Sequence, residues 1–169
     1  MSGTAFSDVD RTGNTDSFIS YLDEAKDKFA RAKSTSCDLL RLQSGEKVLD
    51  AGCGLGDDLL EMAELVGIHG FAAGVDKSES LIAEARQRAR SRGVIAQLQS
   101  ADAEHLPWDS NHFDACRADR LLQHVCNPRL VLDEMLRVSK PGGLIVVTDR
   151  DWGMVALDSS DDRTNAPDP

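Results

Sequence analysis

Eleven residues, Val48-Leu49-Asp50-Ala51-Gly52-Cys53-Gly54-Leu55-Gly56-Asp57-Asp58, constrain this chain more than any others. A short apolar run ends in an acidic residue. Three glycines follow at alternate positions, and an amphipathic pattern starts directly after them. That order reads as strand, tight glycine loop, helix, the opening unit of a Rossmann-like nucleotide site. The glycines let the backbone turn sharply and approach a ligand, because no Cβ stands in the way.

The spacing bears on the ligand. A dinucleotide loop reads G-x-G-x-x-G and leaves the helix N-terminus free for a pyrophosphate. Here the third glycine, Gly56, comes one position early, and Asp57 and Asp58 stand where a phosphate would sit. Like charges there would repel a diphosphate. A ligand with a cationic centre and no phosphate fits the pattern better, and S-adenosylmethionine is such a ligand. The D-A-G-C-G-L-G run resembles the first motif of the class I S-adenosylmethionine-dependent methyltransferases. Asp76-Lys77-Ser78, the segment Ala101-Asp102-Ala103-Glu104-His105-Leu106-Pro107-Trp108, Phe113-Asp114 and Pro141-Gly142-Gly143 resemble further signature positions of that family, in order. The resemblance spans roughly residues 45–150 and is strongest to small-molecule methyltransferases related to quinone biosynthesis. One departure is Ala101, where the family usually has glycine.

Apolar periodicity gives the rest of the architecture. Strands are predicted near 47–51, 71–76, 94–99, 113–118 and 144–148; the second is a continuous apolar run suited to a parallel sheet covered on both faces, and the third is weaker and at an edge. Helices are predicted from about 56 to 66, after Ser78 to Gly93, and from Asn127-Pro128 to about Ser139, with Ser78 and Asn127 as N-caps. In the last of these, Val131 or Leu132, Met135, Leu136 and Val138 are expected inward. The alternation of strands and helices reads as α/β, and the resemblance implies a doubly wound sheet of five parallel strands in the order 3-2-1-4-5. The family adds two more strands after the fifth. The residues after Thr148 carry no strand pattern, so the sixth and seventh strands are expected to be missing, as in a C-terminally truncated methyltransferase. Strand five would then be an exposed edge on which a homodimer could form.

The predicted organisation is a flexible lead-in over 1–15, a helical flap over 16–43, the Rossmann-like domain over 44–150 and a disordered acidic tail over 151–169. The flap reads as one broken helix or two. It either packs on the sheet or acts as a lid, with Phe18 and Tyr21 over the ligand.

Composition limits the partners. With 41% hydrophobic and 28% charged residues, the 169-residue chain can bury a core as one soluble domain. A net charge of −10 argues against nucleic acid as a partner. No apolar run approaches a membrane span, and Met1–Asp10 lacks the features of a signal peptide, which reads as cytoplasmic. Cys37, Cys53, Cys116 and Cys126 form no C-x-x-C pair, and the histidines lack ligand spacing, so no metal site is expected.

Ligands of open α/β sheets sit outside the carboxyl ends of the strands. The candidate cofactor residues gather there: Asp50, Gly52, Cys53, Gly54, Gly56, Asp76, Lys77, Asp102, Ala103 and Asp119. Asp76 lies 24 positions after Gly52, suited to the ribose hydroxyls. By the resemblance, Asp102 and the Ala103 amide read the adenine edge. Asp50 either orients the loop or takes the ammonium. His124 is the candidate base, with packing as its other role. Tyr21, Arg120 and Asp149 are candidate contacts for a small-molecule acceptor; Asp149, like Asp151, could equally be a solvated loop charge. Trp108 and Trp152 border the pocket or shield the sheet edge. The functions carried forward are methyl transfer from S-adenosylmethionine to a small molecule, a non-catalytic S-adenosylmethionine-binding remnant, and an NAD-dependent oxidoreductase.

Overall fold

The computed structural model describes residues 5–149. The predictions for the tail, Asp151 and Trp152 lie outside that range. The elements are α1 (Thr15–Leu39), β1 (Lys47–Ala51), α2 (Asp57–Val66), β2 (Phe71–Asp76), α3 (Glu79–Arg92), β3 (Gln97–Ser100), β4 (Phe113–Asp119), α4 (Pro128–Val138) and β5 (Ser139–Thr148). Short 3-10 helices run over Ala5–Thr12 and Leu122–His124.

The five strands are parallel and ordered β3-β2-β1-β4-β5, as the resemblance implies. β1 is central, and strand alternation sends its side chains to opposite faces. Val48 joins a core layer with Leu59, Met62 and Ile82 of α2 and α3, and Leu40 just after α1 joins the same layer. Leu49 and Ala51 join the other layer with Val131, Met135 and Val138 of α4. The second layer corrects the expectation for Leu136, which is 64% exposed. Positions 131, 135 and 138 complete the inward stripe at i, i+4, i+7, and Leu136 sits about 100° around the helix from Met135.

Gly74 in β2 sets how close α2 can come. A Cβ there would stand 2.6 Å from Leu59 Cδ2 and 2.8 Å from Cys53 Sγ. A glycine is therefore required where the helix and the glycine loop press on the strand.

α1 is one continuous helix of 25 residues rather than a broken pair. No glycine or proline occurs between Thr15 and Leu39 to interrupt its backbone bonding. It packs over β4 and β5 on the α2 side. The described part of the segment before it is in contact with the fold. Val9 is buried with Leu55 and Leu81. Asp10 reaches the start of α3, where its carboxylate accepts the Glu79 amide at 2.8 Å and the Ser78 hydroxyl at 2.7 Å. Ser78 itself caps α3 by accepting the Leu81 amide, so this helix start carries a double cap.

β5 begins earlier than predicted. Ser139 pairs with Phe113, the chain then bulges over 140–143 with Gly142 at φ +83°, and pairing resumes at Leu144 opposite Ala115. Asp114 stitches this region together. It accepts the Lys47 amide at 2.9 Å and pairs with Lys140 at 2.7 Å. Among the described residues, β5 is an edge strand paired only with β4. None of the described helices is long and apolar enough to cross a membrane.

Candidate functional site

A cavity of about 350 Å³ opens at the carboxyl ends of β1, β2 and β4. That is within the range of small-molecule sites. Its floor is the glycine loop, where Gly52, Gly54 and Gly56 take φ of +74°, +51° and +77°. Such angles are left-handed, and side chains with a Cβ seldom adopt them. A Cβ on Gly56 would also come 3.1 Å from Ala85 Cβ, so this glycine sets the packing of the α2 start against α3.

All ten predicted cofactor residues line this cavity, and so do Tyr21, Arg120 and His124. Asp76 ends β2 and faces the loop. One carboxylate oxygen accepts the Gly54 amide at 3.0 Å and the other accepts the Ser78 amide at 3.0 Å. Burial raises its pKa, and the amide bonds hold the ionised form. Each oxygen keeps further acceptor capacity toward the cavity. Asp102 accepts the Glu104 amide at 3.0 Å and pairs with Lys77 at 3.3 Å. Burial also drives the Cys53 thiol well above its ordinary pKa, so it is a neutral filler of the loop.

Asp50 has a partner that the sequence did not announce. Arg117 of β4 lies beside it in register, 1% exposed, with Nη1 at 3.1 Å from the Asp50 carboxylate. Nη2 reaches Asp58 at 3.0 Å and Asp119 at 3.6 Å, and Nε donates to the Ser36 hydroxyl of α1 at 2.9 Å. Lys33 of α1 closes the group by pairing with Asp58 at 2.6 Å. Burial pushes the Asp50 carboxyl up to about 6. Burial acts against the Arg117 charge too, but Asp50 and Asp58 outweigh it, and its pKa is raised.

This network corrects the electrostatic reading of Asp57 and Asp58. Neither is a bare charge. Asp58 is matched by Lys33 and Arg117, while Asp57 pairs with Arg88 at 2.7 Å, Arg92 at 2.8 Å and Lys26 at 3.4 Å. Repulsion of a diphosphate is thereby much reduced. The two carboxylates fill the first turn of α2 instead, together with the cations that hold them.

The remaining candidates separate. Phe18 packs in the small core with Val9 and Leu55, 4.9 Å from the Phe6 ring, and does not line the cavity. Phe6, which sequence reading passed over, does line it. Its ring lies 5.6 Å from Tyr21 and 5.2 Å from His124. Asp149 accepts the Gln123 amide at 3.1 Å and is outside the lining. Trp108 packs on Phe113 at 5.1 Å in the α4-side core, which makes it a structural residue. Arg120 holds its guanidinium 5.0 Å from the Phe29 ring centre. Among the described residues, no cluster of His, Cys, Asp and Glu could hold a metal, and all four cysteines are free thiols.

Comparison with known proteins matches the sequence and the fold. The family model described as a methyltransferase domain matches residues 42–165. A demethylmenaquinone methyltransferase of Geobacillus stearothermophilus is 35% identical over 138 residues, 81% of this chain and 56% of that protein. Among solved structures, the [4+2]-cyclase SpnF superposes with a TM-score of 0.66 at 33% identity, covering 73% of this chain and 47% of its own. A SAM dependent methyltransferase from Aquifex aeolicus superposes with a TM-score of 0.58 at 26% identity, covering 62% and 57%. The chain spans about half the length of the curated relatives it matches, 42% to 56% of the first two. With a family model over most of its length and a matching strand order, the chain belongs to the methyltransferase domain family.

Proposed function

We propose that the cavity binds S-adenosylmethionine and that the chain serves methyl transfer to a small-molecule acceptor, with a quinone-type ring as the first candidate. The observation that carries the reading is Asp76. A carboxylate at the end of β2 is hydrogen-bonded to a left-handed glycine loop at the wall of a cavity of nucleoside size, the arrangement that receives a ribose. The acceptor class is supported by the name of the Geobacillus relative, a demethylmenaquinone methyltransferase.

The residues fit that ligand. Asp76 accepts the ribose hydroxyl protons while it holds the loop. Asp102 and Ala103 border the base. Asp50, ionised above its pKa of about 6, offers a negative charge to the ammonium. When bound, the sulfonium supplies an activated methyl group and departs as a neutral thioether. The protein's share is then alignment and exclusion of water, which can contribute several kcal/mol. Phe6, Tyr21 and His124 form an aromatic wall suited to a planar acceptor. His124 is also the group that could take a proton from a hydroxyl acceptor.

Calorimetry with S-adenosylmethionine tests the binding step. Saturable binding is expected, weakened tenfold or more, about 1.4 kcal/mol, in Asp76→Ala. Asp76→Asn keeps an acceptor for the Gly54 amide and separates loop support from ribose contact. Unchanged affinity in both variants overturns the proposal. Release of S-adenosylhomocysteine with demethylmenaquinone then tests turnover. Because the chain spans about half the length of its relatives, binding without turnover on any acceptor is a second reading, a binding domain without catalysis. Saturable NADH binding in place of S-adenosylmethionine would revive the oxidoreductase.

A further inference from the structure

We propose that Arg117 is a positioning residue that seats α1 over the cavity and fixes the charge state of the cavity's inner wall. The inference rests on the cofactor reading above for its ligand, but its geometry is independent of it. Arg117 is among the most deeply buried side chains of the chain, yet it lines the inner end of the cavity. Its guanidinium serves three elements besides its own strand: β1 through Asp50, the first turn of α2 through Asp58, and α1 through Ser36. A planar fork with several fixed donors can do this, and an ammonium cannot.

The α1 contacts explain why such a charge is kept. α1 also carries Tyr21, Leu22 and Lys26 of the cavity wall. Beside the apolar contacts of Cys37 and Leu40, it meets a polar spot on the sheet. Ser36 is fully buried and receives the Arg117 Nε–H, and Lys33 meets Asp58 beside it. Buried charges left without partners are costly, so α1 can leave this place only by exposing Asp58 and Arg117 to imperfect pairing. The seating of the helix and the pairing of the inner wall are therefore one event. Within that wall Asp50 faces Arg117 and Asp119 from β4, Asp58 from α2 and Lys33 from α1. Two cations, Arg117 and Lys33, thus stand among three carboxylates close together.

The test uses the whole chain and two kinds of variant. Arg117→Met removes the hub. Lys33→Met with Ser36→Ala removes only the α1 side and leaves Arg117 paired with Asp50, which guards against a hub variant that fails to fold. Amide hydrogen exchange is read first, without ligand. At least tenfold faster exchange is expected over 33–40 in either variant, with β1 and β2 within about twofold of the parent. Protection over 33–40 equal to the parent in the double variant overturns the seating role. The affinity for S-adenosylhomocysteine is read next, from pH 5.5 to 8.5. In the parent it falls as pH drops through about 6, where Asp50 protonates. In Arg117→Met that fall moves to higher pH by one unit or more, whereas Arg117→Lys returns it toward the parent. A pH profile that does not move in a folded Arg117→Met overturns the charge role. If the parent binds no S-adenosylhomocysteine but the exchange pattern changes as expected, the cofactor reading fails and the seating of α1 stands.

Discussion

Asp50 of β1 and Arg117 of β4 are register partners across the central pair of strands, and their charged groups meet at 3.1 Å with side chains only 3% and 1% exposed. Such a pair stands at the place where a parallel sheet normally packs aliphatic residues. Desolvation offsets much of the Coulomb gain of such a pair, so its net worth to the fold is small. Its position at the cavity's inner end ties it to the ligand site.

That pair has a measurable pH signature. Burial raises the Asp50 carboxyl from 3.8 to about 6. A raised acid binds its proton more tightly folded than unfolded. Its stabilising contribution is therefore full below about pH 4 and is lost as pH rises through about 6. Asp50→Asn should lack this loss. The stability of the variant relative to the parent is expected to improve by about 3 kcal/mol between pH 4 and pH 7, the worth of two pKa units. Urea unfolding at a series of pH values checks it; a difference that stays flat with pH would contradict the burial argument.

Gly74 predicts a coupling between packing and binding. An alanine there drives its Cβ against Leu59 and against the Cys53 sulfur, which is part of the cavity floor. Overpacking of this kind costs about 1–3 kcal/mol. Gly74→Ala should lower the unfolding midpoint and also weaken S-adenosylmethionine binding, since relief requires the glycine loop to shift. Calorimetry and urea unfolding on the same sample measure both.

Much of this was legible in the sequence, and the limits follow from range. The glycine loop, Asp76 and the caps Ser78 and Asn127 are written in short windows, where period and turn chemistry decide, and the strand order came with the family resemblance. Arg117 is not. One arginine between Cys116 and Ala118 reads as a solvent-facing position, and its partners lie at 36, 50, 58 and 119. Asp57 and Asp58 misled for the same reason: their cations come from α1, α3 and β4, far along the chain. The segment around Asp10 is polar and glycine-flanked. Only the folded arrangement shows that its carboxylate meets the amides at the start of α3, and that Phe6 thereby arrives at the cavity. A signal was present in Val9 and Phe6, two apolar residues three apart in an otherwise polar run.

The Asp10 contact gives its own prediction. Losing a cap of this type costs about 1 kcal/mol. Asp10→Ala should destabilise the chain by that order and, by freeing the segment that carries Phe6, weaken acceptor binding more than S-adenosylmethionine binding. Hydrogen bonds from Ser80 and its neighbours hold the Asp10 carboxyl below its ordinary value. A depressed acid stabilises above its unfolded pKa, so the difference between parent and variant should vanish as pH falls below about 4. Thermal unfolding at pH 7 and pH 3 compares the two.

Asp114 supplies the contrast that separates fold from function. It resembles a signature position of the family, yet it sits at the start of β4, at the opposite end of the strand from the cavity, where it accepts the Lys47 amide and pairs with Lys140. Its carboxyl is held low because Lys140 and the amide outweigh its partial burial. Asp114→Ala leaves the Lys47 amide without its carboxylate and frees the 140–143 bulge, at a cost of about 1–3 kcal/mol. S-adenosylmethionine affinity, measured well below the unfolding transition, should stay within about twofold of the parent. The loss of stability should shrink as the solution is acidified below pH 4, because the parent's carboxylate is then protonated too. A tenfold loss of affinity in a folded Asp114→Ala would mean that the base of the sheet and the cavity are coupled through β1, and the division between a structural and a ligand-binding end would have to be abandoned.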